Sequence, residues 1–183
     1  SIMPINNSKN YQSMHEIVKY SPLFYDANGV FHKNEWTSCS EIGKSFDGKK
    51  LTTEEYFTTE NNYILAMCEI IRVTGSAHMT VEYLEKDELW IEQRMKTSKI
   101  REQDLLLLPT ALKVKQGDRL SISEFSEVAR LCLREYLYGE FVDINYRLRI
   151  IFGYDYYMSI ESDLDNGMLK SIANKHSLYL DPR

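Results

Sequence analysis

Between Phe141 and Ile160, apolar and polar side chains alternate with a period of two, and residues 153–155 interrupt the alternation. Such alternation is typical of strands that bury one face, because neighbouring side chains of a strand point to opposite sides. The pattern therefore predicts two antiparallel strands joined by a turn near residues 153–155. The side chains that we expect on the buried face are Phe141, Leu148, Ile150, Phe152, Met158 and Ile160.

Two capping boxes mark the starts of long helices. Residues 52–55 and 121–124 each place a hydroxyl side chain three positions before a glutamate, so that the two can hydrogen-bond reciprocally at a helix N-terminus. Apolar residues follow both boxes at helical spacing, and Gly75 and Gly139 predict where the two helices end.

Shorter patterns predict the remaining elements, although residues 86–120 show no clear periodicity. Helices that are separated from hairpins along the chain indicate an α+β fold, in which an antiparallel sheet built from hairpins packs against several α-helices. The further elements are a helix over residues 5–20, short strands at 23–25 and 30–32 around an Asn28-Gly29 turn, a strand at 78–84, a helix within 86–99, an interruption at Pro109, a helix over 163–175 and a strand at 178–180.

The composition predicts one folded domain over residues 1–183, because 43% of the residues are hydrophobic and 27% are charged. The formal net charge is −5, and the sequence has no dense cluster of Lys or Arg. We therefore expect no direct binding of nucleic acid. The acidity does suit a basic protein partner, because complementary charges accelerate encounter.

Cysteine usage and hydropathy predict a cytoplasmic protein that does not enter a membrane. Cys39, Cys68 and Cys132 are widely spaced and form no CxxC pair, which is typical of reduced thiols. The apolar run at residues 105–108 is far shorter than the ~18 residues of a membrane span. The N-terminal residues show no basic segment followed by an apolar core, so we expect no secretory signal.

No motif for catalysis, cofactor binding or metal binding stands out. The four histidines are scattered, without a second His or Cys at ligand spacing. Two segments that resemble calcium loops, at residues 26–29 and 163–167, lack an oxygen ligand at position five and the glutamate expected at position twelve. Phosphate-binding glycine motifs and the G-x-S-x-G nucleophile elbow do not occur. We therefore expect no catalytic residue, no cofactor and no bound metal.

Acidic residues form two groups along the chain: Glu82, Glu85, Asp87 and Glu88, and then Asp155, Glu161, Asp163 and Asp165. A solvated surface is the ordinary interpretation, because charged side chains mostly lie outside. The functional alternatives are a nuclease-type metal site and a docking surface for a basic partner. Docking suits the sequence better of the two, because a nuclease would also need a basic surface for its substrate.

Three tyrosines and an aspartate follow Gly153 at the turn of the predicted hairpin. Because neighbouring residues of a strand alternate faces, these side chains cannot all point into the core. Tyrosine is also enriched at protein interfaces, where it brings a large contact area at low entropic cost. We therefore expect Tyr154, Asp155, Tyr156 and Tyr157 to point outward.

Several short phrases between about residues 33 and 162 stand in a recognisable order. They are Glu35-Trp36-Thr37-Ser38, Ser40-Glu41-Ile42-Gly43-Lys44, Phe46-Asp47-Gly48, Leu51-Thr52-Thr53-Glu54-Glu55-Tyr56, Glu60 with Tyr63-Ile64, Tyr83-Leu84-Glu85 and the FGYDYYM phrase at residues 152–158. Together they resemble a family of bacterial immunity proteins from contact-dependent growth inhibition (CDI) systems. No single phrase is a chemical motif, so the resemblance rests on their order and spacing.

The resemblance implies a cytoplasmic protein without enzymatic activity that binds its own toxin tightly. The toxins of related members are DNases, so the expected partner is the C-terminal domain of a CDI toxin, a basic nuclease. Some members of the family accept a β-hairpin of the toxin in a pocket, where the hairpin extends their antiparallel sheet. The residues that we predict to bind the toxin are Glu82, Glu85, Asp87, Glu88, Tyr154, Asp155, Tyr156 and Tyr157.

Two other functions stay open at the level of the sequence. A small hydrolase could use unrecognised carboxylates, such as those of Asp155 or Glu161. An intracellular regulatory or scaffold module could bind a protein partner other than a toxin.

Overall fold

The computed structural model describes residues 13–183, in which seven strands form one antiparallel sheet and two shorter strands form a separate hairpin. In chain order the strands are β1 (Ser13–Val18), β2 (Ser45–Phe46), β3 (Lys49–Lys50), β4 (His78–Glu85), β5 (Arg119–Ser121), β6 (Tyr138–Val142), β7 (Leu148–Phe152), β8 (Met158–Ser162) and β9 (Tyr179–Leu180). The order across the sheet is β5-β4-β6-β7-β8-β1-β9. The first strand of the described chain therefore lies between the last two.

Five α-helices of the described residues form the other layer of the fold. They are α1 (Thr53–Thr74), α2 (Glu88–Lys96), α3 (Arg101–Lys113), α4 (Ile122–Leu133) and α5 (Asn166–Lys175). Strand residues such as Ile17, Val81 and Ile150 share one buried cluster with helix residues such as Met67 and Phe125. This common core between the sheet and the helices confirms the α+β fold predicted from the sequence.

The predicted hairpin is confirmed as β7 and β8, but its first strand is shorter than predicted, because Phe141 lies in β6 and a turn at residues 143–147 separates β6 from β7. Phe152 pairs with Met158 and Ile150 pairs with Ile160, so that one apolar face continues across both strands. All four side chains are at most 3% exposed. Burying a large apolar side chain contributes about 1.5–3 kcal/mol, so this hairpin supplies a substantial share of the core.

Both predicted helix starts are confirmed. The hydroxyl of Thr52 accepts a hydrogen bond from the amide of Glu55 at 3.1 Å. At α4 the capping box is complete, because Ser121 and Glu124 exchange hydrogen bonds of 3.2 and 3.0 Å between side chain and main chain. Gly75 ends α1 in the left-handed conformation, with a φ of 83° that glycine adopts without steric cost.

Four further predictions are confirmed by elements at the expected positions. The strand predicted at residues 78–84 is β4, and the helix predicted over residues 163–175 is α5. A helix, α2, does lie within residues 86–99, and the short strand near the end of the chain is β9.

The short hairpin predicted around Asn28-Gly29 is only partly formed. Gly29 takes the positive φ (78°) that the turn requires. Instead of two strands, the chain forms a 3₁₀ turn at Pro22–Phe24 and one isolated bridge between Tyr25 and Phe31. The proline favours this turn over a strand, because its φ angle suits a helical start.

The helix predicted over residues 5–20 is wrong where the structure describes the chain. Ser13–Val18 form β1, which pairs with β8 on one side and with β9 on the other. Ile17 and Val18 point to opposite faces of this internal strand, yet both are fully buried. A strand that is buried on both faces carries apolar residues on both, so its sequence does not alternate between apolar and polar residues. The spacing of the apolar residues in β1 is therefore also compatible with a helix. The part of that prediction before residue 13 lies outside the described residues.

Pro109 does not interrupt the chain as predicted but lies inside α3. A proline at this position removes one amide, whose partner would have been the carbonyl of Leu105. Leu105 and Pro109 both lie on the exposed side of the helix, where water can bind that carbonyl. The helix therefore continues through the proline, and the predicted break is wrong.

The end of α4 comes earlier than predicted. Its last residue is Leu133, and Gly139 lies in β6. Glu135 takes the left-handed conformation (φ 64°) that glycine usually provides after a helix, so the sequence showed no sign of the true end. Gly139 has a different role, because a Cβ at this position would lie 2.5 Å from the ring of Phe141.

Replacing Phe152 by alanine should lower the free energy of unfolding by about 3–5 kcal/mol, because this side chain is 3% exposed and its removal leaves a cavity. Urea denaturation would measure the change. Leu23→Ala is the control, since Leu23 is 90% exposed and should change stability by less than about 0.5 kcal/mol. Equal effects of the two substitutions would contradict the core described above.

Candidate functional site

A surface cleft of about 350 Å³ opens at one end of the sheet. The strands β4 and β7 end there, β6 begins there, and α2 starts just beyond β4. The floor of the cleft is apolar and is formed by Cys132, Leu137 and Phe152, each at most 5% exposed. Burial raises the pKa of the Cys132 thiol, which therefore stays protonated and adds no charge to the floor.

Aromatic side chains surround this floor. Trp90 and Tyr136 contact each other edge to face, with ring centroids 6.3 Å apart. Tyr138 packs in the same way against Tyr83, at 6.1 Å. Tyr154, which also lines the cleft, is 82% exposed. Aromatic rings that keep one side in water are typical of surfaces that bind other molecules.

The rim of the cleft is acidic. Three carboxylates line it, those of Glu85, Asp87 and Glu135, against the single ammonium group of Lys86. This ammonium group donates hydrogen bonds of 2.6, 2.9 and 3.1 Å to carbonyl oxygens at the C-terminal end of α3. Because the cation is bonded to the negative end of a helix, the rim keeps an excess of negative charge.

Three of the predicted residues meet at this cleft, namely Glu85, Asp87 and Tyr154. Asp87 also caps α2, since its Oδ1 accepts a hydrogen bond from the amide of Trp90 at 3.1 Å. Glu85 accepts a hydrogen bond from the hydroxyl of Tyr83. The fold thus brings part of the acidic group and part of the tyrosine turn to one surface, although the two are far apart in the sequence.

Glu82 and Glu88 lie outside the cleft and have partners of their own. Glu82 is on the face of the sheet that points away from the core, 2.5 Å from Arg149. The same guanidinium lies 3.3 Å from Glu161, the second carboxylate considered for hydrolysis. Glu88 contacts Lys86 at 3.3 Å. These carboxylates contribute to the acidity of the surface but do not line the cleft.

Tyr156 does not point outward as predicted, because it is 2% exposed. Its hydroxyl bonds to the hydroxyl of Tyr56, and its main-chain oxygen accepts a hydrogen bond of 2.6 Å from Tyr63. Asp155 and Tyr156 both take left-handed conformations, with φ of 59° and 66°. Two such residues in succession break the strand alternation and turn Tyr156 into the core, so the outward prediction is wrong for this residue.

Asp155 is exposed and Tyr157 is half-buried, but neither lines the cleft. The main-chain oxygen of Asp155 accepts a hydrogen bond of 2.6 Å from the hydroxyl of Tyr20. The hydroxyl of Tyr157 accepts one of 2.7 Å from Arg183. Both residues therefore tie the turn to the segment that follows β1 and to the end of the chain.

A buried ionic network joins three helices next to the cleft. The guanidinium of Arg134, 3% exposed, donates to both carboxylate oxygens of Glu60 at 2.7 and 2.9 Å. It also donates to Asp104 at 2.9 Å. Glu60 and Asp104 are fully buried, and Arg130 adds a second cation 2.7 Å from Glu60. Two carboxylates therefore face two guanidinium groups, and their charges balance.

Tyr136 connects this network to the cleft, because its ring lines the cleft and its hydroxyl donates to Asp104 at 2.5 Å. Burial raises the pKa of Tyr136, and the hydrogen bond to Asp104 raises it further, so the phenol remains a donor. Burial acts to raise the pKa of Glu60 too. The hydrogen bonds and the charge of Arg134 outweigh it, and the pKa of Glu60 lies below its ordinary value.

The sequence did not predict Trp90, Tyr138 or Glu135 as residues of the site. Trp90 lies in the segment without clear periodicity, and the other two lie in residues assigned to a longer α4. One signal was present, since Arg94 follows Trp90 by four residues and such neighbours meet on a helix surface. In the structure the guanidinium of Arg94 lies 4.9 Å from the centre of the Trp90 ring.

The chain matches no protein-family model, no curated protein and no solved structure. Within residues 13–183, no group of three or more His, Cys, Asp or Glu side chains could hold a metal ion. None of the helices in the described part of the chain is long and apolar enough to cross a membrane. The function of the cleft is therefore inferred from its own residues.

Glu60→Gln should lower the free energy of unfolding by about 3–5 kcal/mol at neutral pH, because it removes the charge that faces the buried Arg134. Since the pKa of Glu60 in the folded protein lies below its ordinary value of 4.5, its contribution is present above about pH 4.5 and is lost as the pH falls through the folded pKa. The difference in the free energy of unfolding between wild type and variant, measured by urea denaturation, should therefore become smaller as the pH falls from about 5 to about 3. A constant difference over that range would contradict a charged Glu60.

Proposed function

We propose that this protein is a CDI immunity protein, which binds the C-terminal nuclease domain of its cognate toxin in the cytoplasm and has no enzymatic activity of its own. The observation that carries the proposal is the cleft, where an apolar floor, exposed aromatic rings and an acidic rim meet. The choice of family rests on the sequence phrases between residues 33 and 162, which resemble those of CDI immunity proteins. Two of these phrases, at residues 83–85 and 152–158, contribute residues to the cleft.

The chemistry of the cleft suits a segment of a basic protein. The rings of Trp90 and Tyr154 offer large contact areas and lose little conformational entropy, as binding hot spots do. The floor is already packed, so binding requires little further ordering of this protein. The carboxylates of Glu85, Asp87 and Glu135 attract a cationic partner and increase its association rate.

An open strand edge beside the cleft supports the addition of a toxin strand to the sheet. β5 pairs only with residues 78–80 of β4. On the same side, Val81 exchanges main-chain hydrogen bonds of 2.8 Å with Gly117 and Asp118. Past Val81, β6 pairs with one side of β4 as far as Glu85, and no strand of the described chain pairs with the other side. A β-hairpin could bind this edge through main-chain hydrogen bonds while its side chains enter the cleft.

Binding of the toxin to the acidic cleft would neutralise it, because a nuclease requires its basic side chains to bind its substrate. A nuclease holds the phosphate groups of its substrate with Lys and Arg side chains. When these side chains are buried against an acidic surface, they are no longer free to bind DNA. Immunity then needs only tight binding with slow release, and no chemical step by the immunity protein.

The test of the proposal is to express this protein together with the toxin domain encoded immediately upstream. We expect the two proteins to co-purify. Cells that express both should survive, whereas cells that express the toxin alone should degrade their DNA and die. A chain that fails to protect against that toxin would refute the proposal.

Tyr154→Ala should weaken binding of the toxin domain by about 10–100-fold, because it removes an aromatic contact from the cleft. The Tm should stay nearly unchanged, since the side chain is 82% exposed. Calorimetric titration and thermal unfolding would measure the two effects. Leu106→Ala on α3, where Leu106 is 77% exposed, is the control and should leave both values unchanged. A large drop in Tm, or an unchanged affinity, would count against this role of Tyr154.

A further inference from the structure

Glu135 lines the cleft at a position that glycine usually occupies. The amide of Tyr136 donates to the carbonyl of Leu131 at 2.9 Å, and the amide of Glu135 donates to that of Cys132 at 3.0 Å. These two bonds form a Schellman motif, which ends α4 and places a left-handed residue directly after the cap. Glu135 is that residue, with a φ of 64°. A left-handed backbone strains any residue that has a Cβ.

The charge of Glu135 adds two further costs. Its carboxylate lies at the C-terminal end of α4, where the helix dipole disfavours anions. The residue is also half-buried, and burial raises its pKa, an effect that the charge of Arg94 opposes. Within residues 13–183, no donor or cation bonds to this carboxylate. The side chain is therefore strained, unfavourably charged and unpaired at once.

Arg94 is held by contacts other than the Glu135 carboxylate. One of its nitrogens donates to the main-chain oxygen of Glu135 at 2.9 Å. Its guanidinium also lies over the rings of Trp90 and Tyr136, 4.9 and 4.6 Å from their centres. These contacts stabilise the turn after α4, and they leave the carboxylate available to a ligand in the cleft.

We propose that Glu135 is the specificity-determining residue of the cleft and that it binds the guanidinium group of an arginine side chain from a protein partner. A carboxylate and a guanidinium can form two parallel hydrogen bonds, which a lysine cannot reproduce. Aromatic walls such as Trp90 and Tyr154 suit the flat face of the same group. The nature of the partner rests on the proposed function, whereas the choice of an arginine side chain rests on the cleft alone.

A glycine at position 135 would remove the backbone strain, the repulsion by the helix dipole and the half-buried charge together. Strained residues concentrate at binding sites, where the surrounding structure holds them in place for an interaction. Residues that serve binding are often retained although they lower stability. The free energy gained when Glu135 binds a cation therefore explains why a glutamate occupies this position.

The probe for this inference is a blocked tripeptide, acetyl-Gly-Arg-Gly-amide, titrated into the ¹⁵N-labelled protein without any toxin. The protein has two tryptophans, and Trp36→Phe assigns the remaining indole signal to Trp90. We expect this signal to shift with a Kd of about 1–10 mM, as for the contact of one side chain. The citrulline tripeptide, which has nearly the same shape without the charge, should bind at least about 10-fold more weakly.

Two variants at position 135 separate binding from stability. Glu135→Gln should weaken binding of the arginine tripeptide at least about 10-fold. Its Tm should rise slightly, because the unfavourable charge is removed while the backbone strain remains. Glu102→Gln, at an exposed position of α3 that does not line the cleft, is the matched control and should bind like the wild type. Glu135→Gly should abolish the shift and raise the Tm by about 2–4 °C, because it relieves the left-handed strain.

Equal binding of the arginine and citrulline tripeptides, or full binding by Glu135→Gln, would overturn the inference. A lower Tm for Glu135→Gly would also overturn it, because the glutamate would then contribute to stability. The experiment is independent of the toxin. If the protein protects against the toxin but does not bind the arginine tripeptide, this inference is refuted and the proposed function stands. If the protein binds the tripeptide but does not protect, the proposed function is refuted and this inference stands.

Discussion

The guanidinium of Arg134, buried between Glu60 and Asp104, is the interaction on which the arrangement of the helices depends. It joins α1, α3 and the end of α4 through three hydrogen bonds. A buried charge is strongly destabilising when a partner is removed, so these helices cannot shift independently without leaving an ion unpaired. The network thereby fixes the position of the residues that follow Arg134 in the sequence, which form one wall of the cleft.

The opposite wall of the cleft is held by the same carboxylates. Tyr56 donates to Glu60 at 2.6 Å and also bonds to Tyr156, which anchors the turn that carries Tyr154. On the other side, Tyr136 is bonded to Asp104. Both aromatic walls are therefore attached to one rigid centre, and the cleft exists before any partner arrives. A preformed surface loses little entropy on binding, which favours high affinity.

Local patterns in the sequence were sufficient for the hairpin of β7 and β8 and for the starts of α1 and α4, because alternation and capping depend on residues a few positions apart. The network was not visible, since Glu60 and Arg134 are 74 positions apart. Tyr156 was misplaced because two successive left-handed residues, neither of them glycine, interrupt the alternation. Tyr154 and the acidity of the cleft followed from the sequence, whereas Glu135 required knowledge of where α4 ends.

The position of β1 between β8 and β9 has a consequence for synthesis in the cell. Ile17 pairs with Met158 and Leu180, so β1 has neither of these partner strands until β8 has been translated. At about 5–20 residues per second, roughly 7–28 s pass between the appearance of Ile17 and that of Met158. The segments that build the cleft all emerge within this interval. The strands β4 to β7 can therefore pair with one another before β8, the first partner of β1, has been translated.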